Sequence, residues 1–178
     1  MNNAAVAAQN LLDRGHQPVT VLDIDYHHGN GTQSIFYQRS NVAFISIHAH
    51  PENAFPYYSG FADEIGSGAG RRTNVNLPLA VGSGWDAYRE ALHRAMGRVG
   101  DFDPAALVIS LGVDTAVSDP VGGFRLEPEH FVLIGELIGE PGLPALFVLE
   151  GGYDLDRVGP DVVSVLTGFD RKKCNTQS

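Results

Sequence analysis

The run Asp23-Ile24-Asp25-Tyr26-His27-His28-Gly29-Asn30-Gly31 ends the apolar stretch Val19-Thr20-Val21-Leu22 and alternates metal-binding side chains with apolar ones. In an extended strand, residues two apart face the same side, so Asp23, Asp25 and His27 are expected to project together while Ile24 and Tyr26 point away. Two carboxylates at a buried strand end are costly without a compensating cation, and a carboxylate and an imidazole so placed can share one metal ion. The plainer alternative is an acidic strand cap, with His27 and His28 satisfied by hydrogen bonds.

Two further apolar runs end in the same way. Ala105-Ala106-Leu107-Val108-Ile109-Ser110-Leu111 leads into Gly112-Val113-Asp114-Thr115, and Pro144-Ala145-Leu146-Phe147-Val148-Leu149 leads into Glu150-Gly151-Gly152-Tyr153. In open parallel sheets the ligand crevice lies outside the carboxyl ends of the strands. A carboxylate and a phenol from distant parts of the chain are therefore expected to meet the first cluster in one site.

The elements that would position these ends alternate. Asn2 or Asn3 can cap a helix over Ala4 to Asp13, which Gly15 ends before a strand from Val19 to Asp25. A short helix to about Tyr37 and a buried strand Val42 to Ile47 follow. The glycine-rich stretch Ala49 to Arg72, with Pro51 and Pro56, exceeds the roughly 12 to 15 residues usual for a structureless loop and so is expected to pack on the site. A strand Asn74 to Leu79, an amphipathic helix from Ser83 or Gly84 to Val99, and a strand Leu107 to Leu111 come next. A helix near Pro128 to Ile138, a strand Leu146 to Leu149 and a last helix near Asp154 to Leu166 complete the pattern. Alternating strands and helices predict an α/β domain over residues 1–170 with a mainly parallel sheet. A ligand-bearing central strand fed directly by a helix leaves one sheet edge bare, and Arg171 to Ser178 reads as a disordered tail.

With 178 residues, 43% hydrophobic and 19% charged, the chain suits one globular domain. Its net charge of -9 excludes a nucleic-acid surface and is compatible with a cationic substrate. The single cysteine, Cys174, rules out a disulfide framework or a thiolate zinc site within the chain. No apolar run approaches the roughly 18 residues of a membrane span, so no membrane association and a cytoplasmic location are expected.

With these motifs in order, the chain resembles the zinc-dependent histone deacetylase superfamily, and within it the bacterial acetylpolyamine amidohydrolases. The resemblance covers Asn2 to about Asp170 and rests on Asp23-Ile24-Asp25-Tyr26-His27-His28-Gly29-Asn30-Gly31-Thr32-Gln33, Ala54-Phe55-Pro56, Leu111-Gly112-Val113-Asp114-Thr115, Asp119-Pro120 and Glu150-Gly151-Gly152-Tyr153. It implies an arginase/deacetylase-like three-layer fold, with Asp25, His27 and Asp114 as ligands of one catalytic zinc ion and an open position for water and an amide carbonyl. Tyr153 matches the tyrosine that donates to the developing oxyanion, Phe55 an aromatic walling the substrate tunnel, and Gly152 a glycine beside it. Asp23, Asp25, His27, Ser46 and Ile47 resemble a potassium site next to the zinc. The implied reaction is removal of acetyl groups from a linear acetylated amine, an acetylpolyamine or acetyl-lysine, by metal-activated water.

The related arginases hold two manganese ions, but this chain has Gly29 and Ala116 where their extra aspartates stand. The resemblance also implies a catalytic domain whose N-terminal half, with the tandem general-base and general-acid histidines, is missing ahead of Met1. Loss of general acid/base catalysis costs about 10² to 10⁴-fold in rate. The competing expectation is therefore a catalytically silent metal-binding or interaction module, or an inactive fragment, whose bare edge favours a homo-oligomer or a partner. Gly29-Asn30-Gly31 and Gly66-Ser67-Gly68-Ala69-Gly70 fall short of a dinucleotide-binding fingerprint.

Overall fold

Asn2 begins the first helix as its residue type predicts: its side-chain oxygen accepts from the Ala5 amide at 2.8 Å. In the structure, a computed structural model describing residues 1–176 and the side chains of 1–172, this helix is α1 (Asn3–Asp13). It is followed by β1 (Val19–Asp23), α2 (Asn30–Phe36), β2 (Val42–Ala49) and β3 (Asn74–Leu79). Then come α3 (Trp85–Phe102), β4 (Ala106–Leu111), α4 (Pro128–Gly139), β5 (Ala145–Leu149) and α5 (Val158–Thr176). Between β2 and β3 the long irregular segment forms only one short 3-10 turn, Gly68–Gly70.

The five strands make one parallel sheet in the order β3-β2-β1-β4-β5. Central β1 is buried throughout because helices cover both faces. Leu22 and Ile45 pack with Leu92 of α3 and Ile134 of α4 on one side, while Val19, Val21 and Phe44 pack with Ala8 and Leu12 of α1 on the other. This is the expected three-layer α/β arrangement. Asp23 stands level with Ser46 of β2 and Ser110 of β4, so the carboxyl ends of three strands finish side by side.

Edge strand β5 pairs with β4 alone among the described residues, and Leu146 and Leu149 are 41% and 56% exposed. The bare edge foreseen from the sequence lies there. Among the described residues, no helix is long and apolar enough to cross a membrane.

Several boundaries differ from expectation: β2 runs to Ala49 instead of Ile47 and α3 to Phe102 instead of Val99. β1 stops at Asp23 instead of Asp25. α5 begins at Val158 because the Asp154 carbonyl first accepts the Arg157 and Val158 amides in a turn. The expected disordered tail from Arg171 instead continues α5 to Thr176, since no proline or glycine interrupts it; Gln177 and Ser178 lie outside the described residues.

Candidate metal centre

Two successive aspartate turns wind the chain from β1 into the site. The Asp25 amide donates to Asp23 Oδ1 at 3.2 Å, and the His27 amide donates to Asp25 Oδ1 at 2.8 Å. Such local bonds draw the backbone out of the sheet ladder. Strand alternation therefore fails beyond Asp23, and the residues that converge are Asp25, His27 and Asp114, with donor atoms within 4.8 Å of one another. Asp23 faces the same cleft but stands outside this group.

His27 Nδ1 lies 3.1 Å from Asp114 Oδ2 and 3.5 Å from Asp25 Oδ1. Donors each about 2.0 to 2.1 Å from one zinc ion at tetrahedral angles stand about 3.3 Å apart, so these separations suit a single shared ion. The remaining lone pairs are anchored: Tyr26 N donates to Asp114 Oδ1 at 2.9 Å and Gly151 N to Asp25 Oδ2 at 2.8 Å. Gly151 is also where the backbone must come closest. A Cβ there would lie 2.5 Å from Asp25 Oδ2 and 2.6 Å from Asp114 Oδ2.

The electrostatics describe concentrated negative charge in a dry place. Burial, then the Asp25 charge, pushes the Asp23 carboxyl well above the ordinary carboxylate range. Burial likewise pushes Asp114 up to about 6 against the opposing hydrogen bond from His27. For Asp25 burial also raises, but hydrogen bonds from the His27 side chain and backbone and from Gly151 outweigh it and hold the group low. Hydrogen bonds to Asp114 and Asp25 lift His27 to about 9. A divalent cation held between Asp25 and Asp114 would offset their mutual repulsion and the cost of their burial.

The cleft above the group has a volume of about 660 Å³ and is lined by Asp23, Asp25, His27, Phe55, Glu150 and Tyr153, among others. Tyr153 is 49% exposed, and burial together with the surrounding carboxylates raises its phenol, which therefore keeps its proton at neutral pH. Phe55 is 56% exposed at the rim, with its ring edge-on to Tyr57, and is no core residue. Gly152, expected on the tunnel wall, does not line the cleft. Its φ of 150° turns the chain behind it, where a Cβ would meet Val113 and Val158. Ser46 and Ile47 are buried on β2, with the Ser46 hydroxyl 2.8 Å from His48 Nδ1; Ser46 thus sits beside Asp23, one strand over.

Sequence reasoning missed the polar network behind the site. Gln33 Oε1 accepts from Asn74 and Asn76, both at 2.8 Å, and lies 3.1 Å from His28 Nε2. Gln33 Nε2 donates to Ser59 at 3.0 Å and Glu64 at 2.7 Å, tying the segment that carries Phe55 to the strand ends. Two asparagines spaced two apart in a strand that should be apolar on that face were the available signal. Asp119, quoted from the sequence only within the Asp119-Pro120 motif and given no role there, accepts the Tyr153 amide at 2.7 Å.

A sequence profile described as "Histone deacetylase domain" matches residues 1–169. The chain is 52% identical over 170 residues to Acetylpolyamine amidohydrolase 1 of Pseudomonas aeruginosa, covering 96% of this chain and 49% of that protein. It is 40% identical over 171 residues to Histone deacetylase 6 of Caenorhabditis elegans, covering 92% of this chain and 18% of that protein. The crystal structure of acetylpolyamine aminohydrolase from Burkholderia pseudomallei superposes with a TM-score of 0.94 at 43% identity, over 97% of this chain and 50% of that one. The chain thus spans about half the length of the acetylpolyamine amidohydrolases it matches.

Proposed function

Because the chain belongs to the histone deacetylase domain family, we propose that it is the metal-bearing half of a zinc-dependent deacetylase acting on a linear acetylated amine, an acetylpolyamine or acetyl-lysine. The observation carrying this reading is the spacing of the Asp25, His27 and Asp114 donor atoms, all within 4.8 Å of one another, which would suit one shared zinc ion. A zinc ion held there supplies Lewis-acid polarisation of the amide carbonyl and a water of lowered pKa. Tyr153 keeps its proton and donates it as a hydrogen bond to the developing oxyanion. Phe55 lies along the alkyl chain at the rim, and the acidic cleft favours a distal ammonium group. Asp23 and Ser46, with backbone carbonyls of Asp25, His27 and Ile47, offer hard oxygen donors for a potassium ion beside the zinc.

A second reading has its own observation. The histidines lining the cleft are His27, in the metal group, and His28, which is 3% exposed with Nε2 3.1 Å from Gln33 Oε1, so among the described residues the cleft offers no exposed histidine outside the metal group to move the water proton. On that reading the chain by itself binds metal without turnover, and its exposed β5 edge seats a second copy or the remaining half of the domain.

Metal stoichiometry by mass spectrometry, followed by hydrolysis of an N-acetylated diamine, separates the two. One zinc ion per chain, absent from Asp25→Ala, with measurable hydrolysis supports the enzyme. One ion without hydrolysis supports the silent module. No ion in a folded chain refutes both.

A further inference from the structure

The Asp119 carboxylate is buried, 8% exposed, and accepts four backbone amides. Oδ1 takes Val121 at 2.9 Å and Gly122 at 3.0 Å, and Oδ2 takes Tyr153 at 2.7 Å and Asp154 at 3.2 Å. The first pair sits on the loop after β4, which carries Asp114. The second sits on the loop after β5, which carries Tyr153. One carboxylate therefore staples the ligand loop to the tyrosine loop.

The staple is tight on the ligand side, because a Cβ on Gly122 would collide with the Asp114 carbonyl oxygen. On the other side the Tyr153 ring is 49% exposed, so side-chain packing holds it only in part and its backbone anchor sets where the phenol starts. Asp119 itself is not on the cleft wall, whereas Val121 and Tyr153 both are. Hydrogen bonds from neutral amides to a carboxylate are among the stronger ones available, and four converging on one group fix its geometry.

We propose that Asp119 is a positioning residue that places the Tyr153 hydroxyl beside the metal group. This rests on the reading of Tyr153 as the oxyanion donor, although the placement can be tested separately. Asparagine keeps the shape but turns an NH2 toward two of the four N–H groups, and alanine removes every acceptor.

The test uses the whole chain labelled with 3-fluorotyrosine at its six tyrosines. Tyr153→Phe identifies the Tyr153 fluorine resonance, and fully buried Tyr88 reports on the fold. Asp119→Ala and Asp119→Asn are expected to shift the Tyr153 resonance and leave that of Tyr88 in place. Zinc-loaded protein is then titrated with acetohydroxamate in a calorimeter. Tyr153→Phe alone should weaken binding by about tenfold, as loss of one hydrogen bond to a charged group predicts. In the Asp119→Ala background the same change should cost less than about twofold, because the hydroxyl is already misplaced. Independent, fully additive losses overturn the proposal. Should Tyr153→Phe leave the affinity unchanged, the donor reading falls, and the fluorine spectrum alone judges Asp119. There an unmoved Tyr153 resonance refutes the placement and a shifted one upholds it. If Asp119→Ala perturbs Tyr88, Asp119→Asn carries both measurements.

Discussion

Replacing Gly151 by alanine should abolish tight metal binding without unfolding the protein. The added Cβ would stand 2.5 Å from Asp25 Oδ2 and 2.6 Å from Asp114 Oδ2, where ordinary contact begins at 3.4 Å. Both ligands would have to retreat by about 0.8 to 0.9 Å, while a metal site tolerates about 0.2 Å. The backbone cannot yield instead, because the Val113 amide donates to the Gly151 carbonyl at 2.8 Å and the Gly151 amide donates to Asp25 at 2.8 Å. Perturbing groups that merely support ligands costs about 10 to 100-fold in affinity, so displacing two ligands should cost at least about 100-fold. Competition against a chromogenic chelator measures this directly, with thermal unfolding in parallel. Gly97→Ala is the control, since nothing lies within 4 Å of its Cβ in α3. It should keep its metal affinity and gain about 0.5 to 1 kcal/mol of stability. An affinity of Gly151→Ala within about threefold of the parent, less than 1 kcal/mol, would refute the idea that these carboxylates share an ion across this glycine.

Hydrogen bonds to Asp114 and Asp25 lift His27 from 6.5 to about 9 in the metal-free protein. A raised folded value means this stabilisation is complete below pH 6.5 and is lost as pH rises through 9, while Asp114, held near 6, has largely titrated below that window. Urea midpoints of the metal-free chain should fall across it, His27→Gln should flatten the fall, and metal affinity should rise as the imidazole loses its proton. In a complete enzyme, Tyr153→Phe should lower kcat by about 10² to 10³-fold with zinc stoichiometry unchanged; a loss below about tenfold would contradict the oxyanion role. Gln33→Ala removes one partner each from the buried Asn74 and Asn76 amides and from the Glu64 carboxylate, which keep their bonds to the Glu64 and Phe61 carbonyls and to the Gly60 amide, and should cost about 1 to 3 kcal/mol in urea unfolding. If the β5 edge drives self-association, Leu149→Lys should convert sedimenting oligomers to monomers and leave metal content intact.

Much of the site was legible before any coordinates. Carboxylates, an imidazole and a phenol at the ends of apolar runs announce themselves, because a buried strand end accepts such groups only when something compensates them. The order of strands and helices followed from periodicity, and the family resemblance named Asp25, His27 and Asp114, which the fold brings together. Other features carry no local signature. The aspartate turns that separate Asp23 from Asp25 and His27 compete with strand geometry over a few residues, and the outcome depends on what the turn amides find nearby. That Gly151, rather than Gly152, faces the ligands depends on backbone placement across two loops.

Residue types and their spacing along the chain determined the chemistry on offer and an α/β layer order, and the family resemblance singled out Asp25, His27, Asp114 and Tyr153 as a set. Tertiary structure alone decided how that chemistry is held. The Gln33 network and the Asp119 staple join residues 26 to 43 positions apart. A buried polar side chain takes its meaning from partners that only the folded chain brings within hydrogen-bond reach.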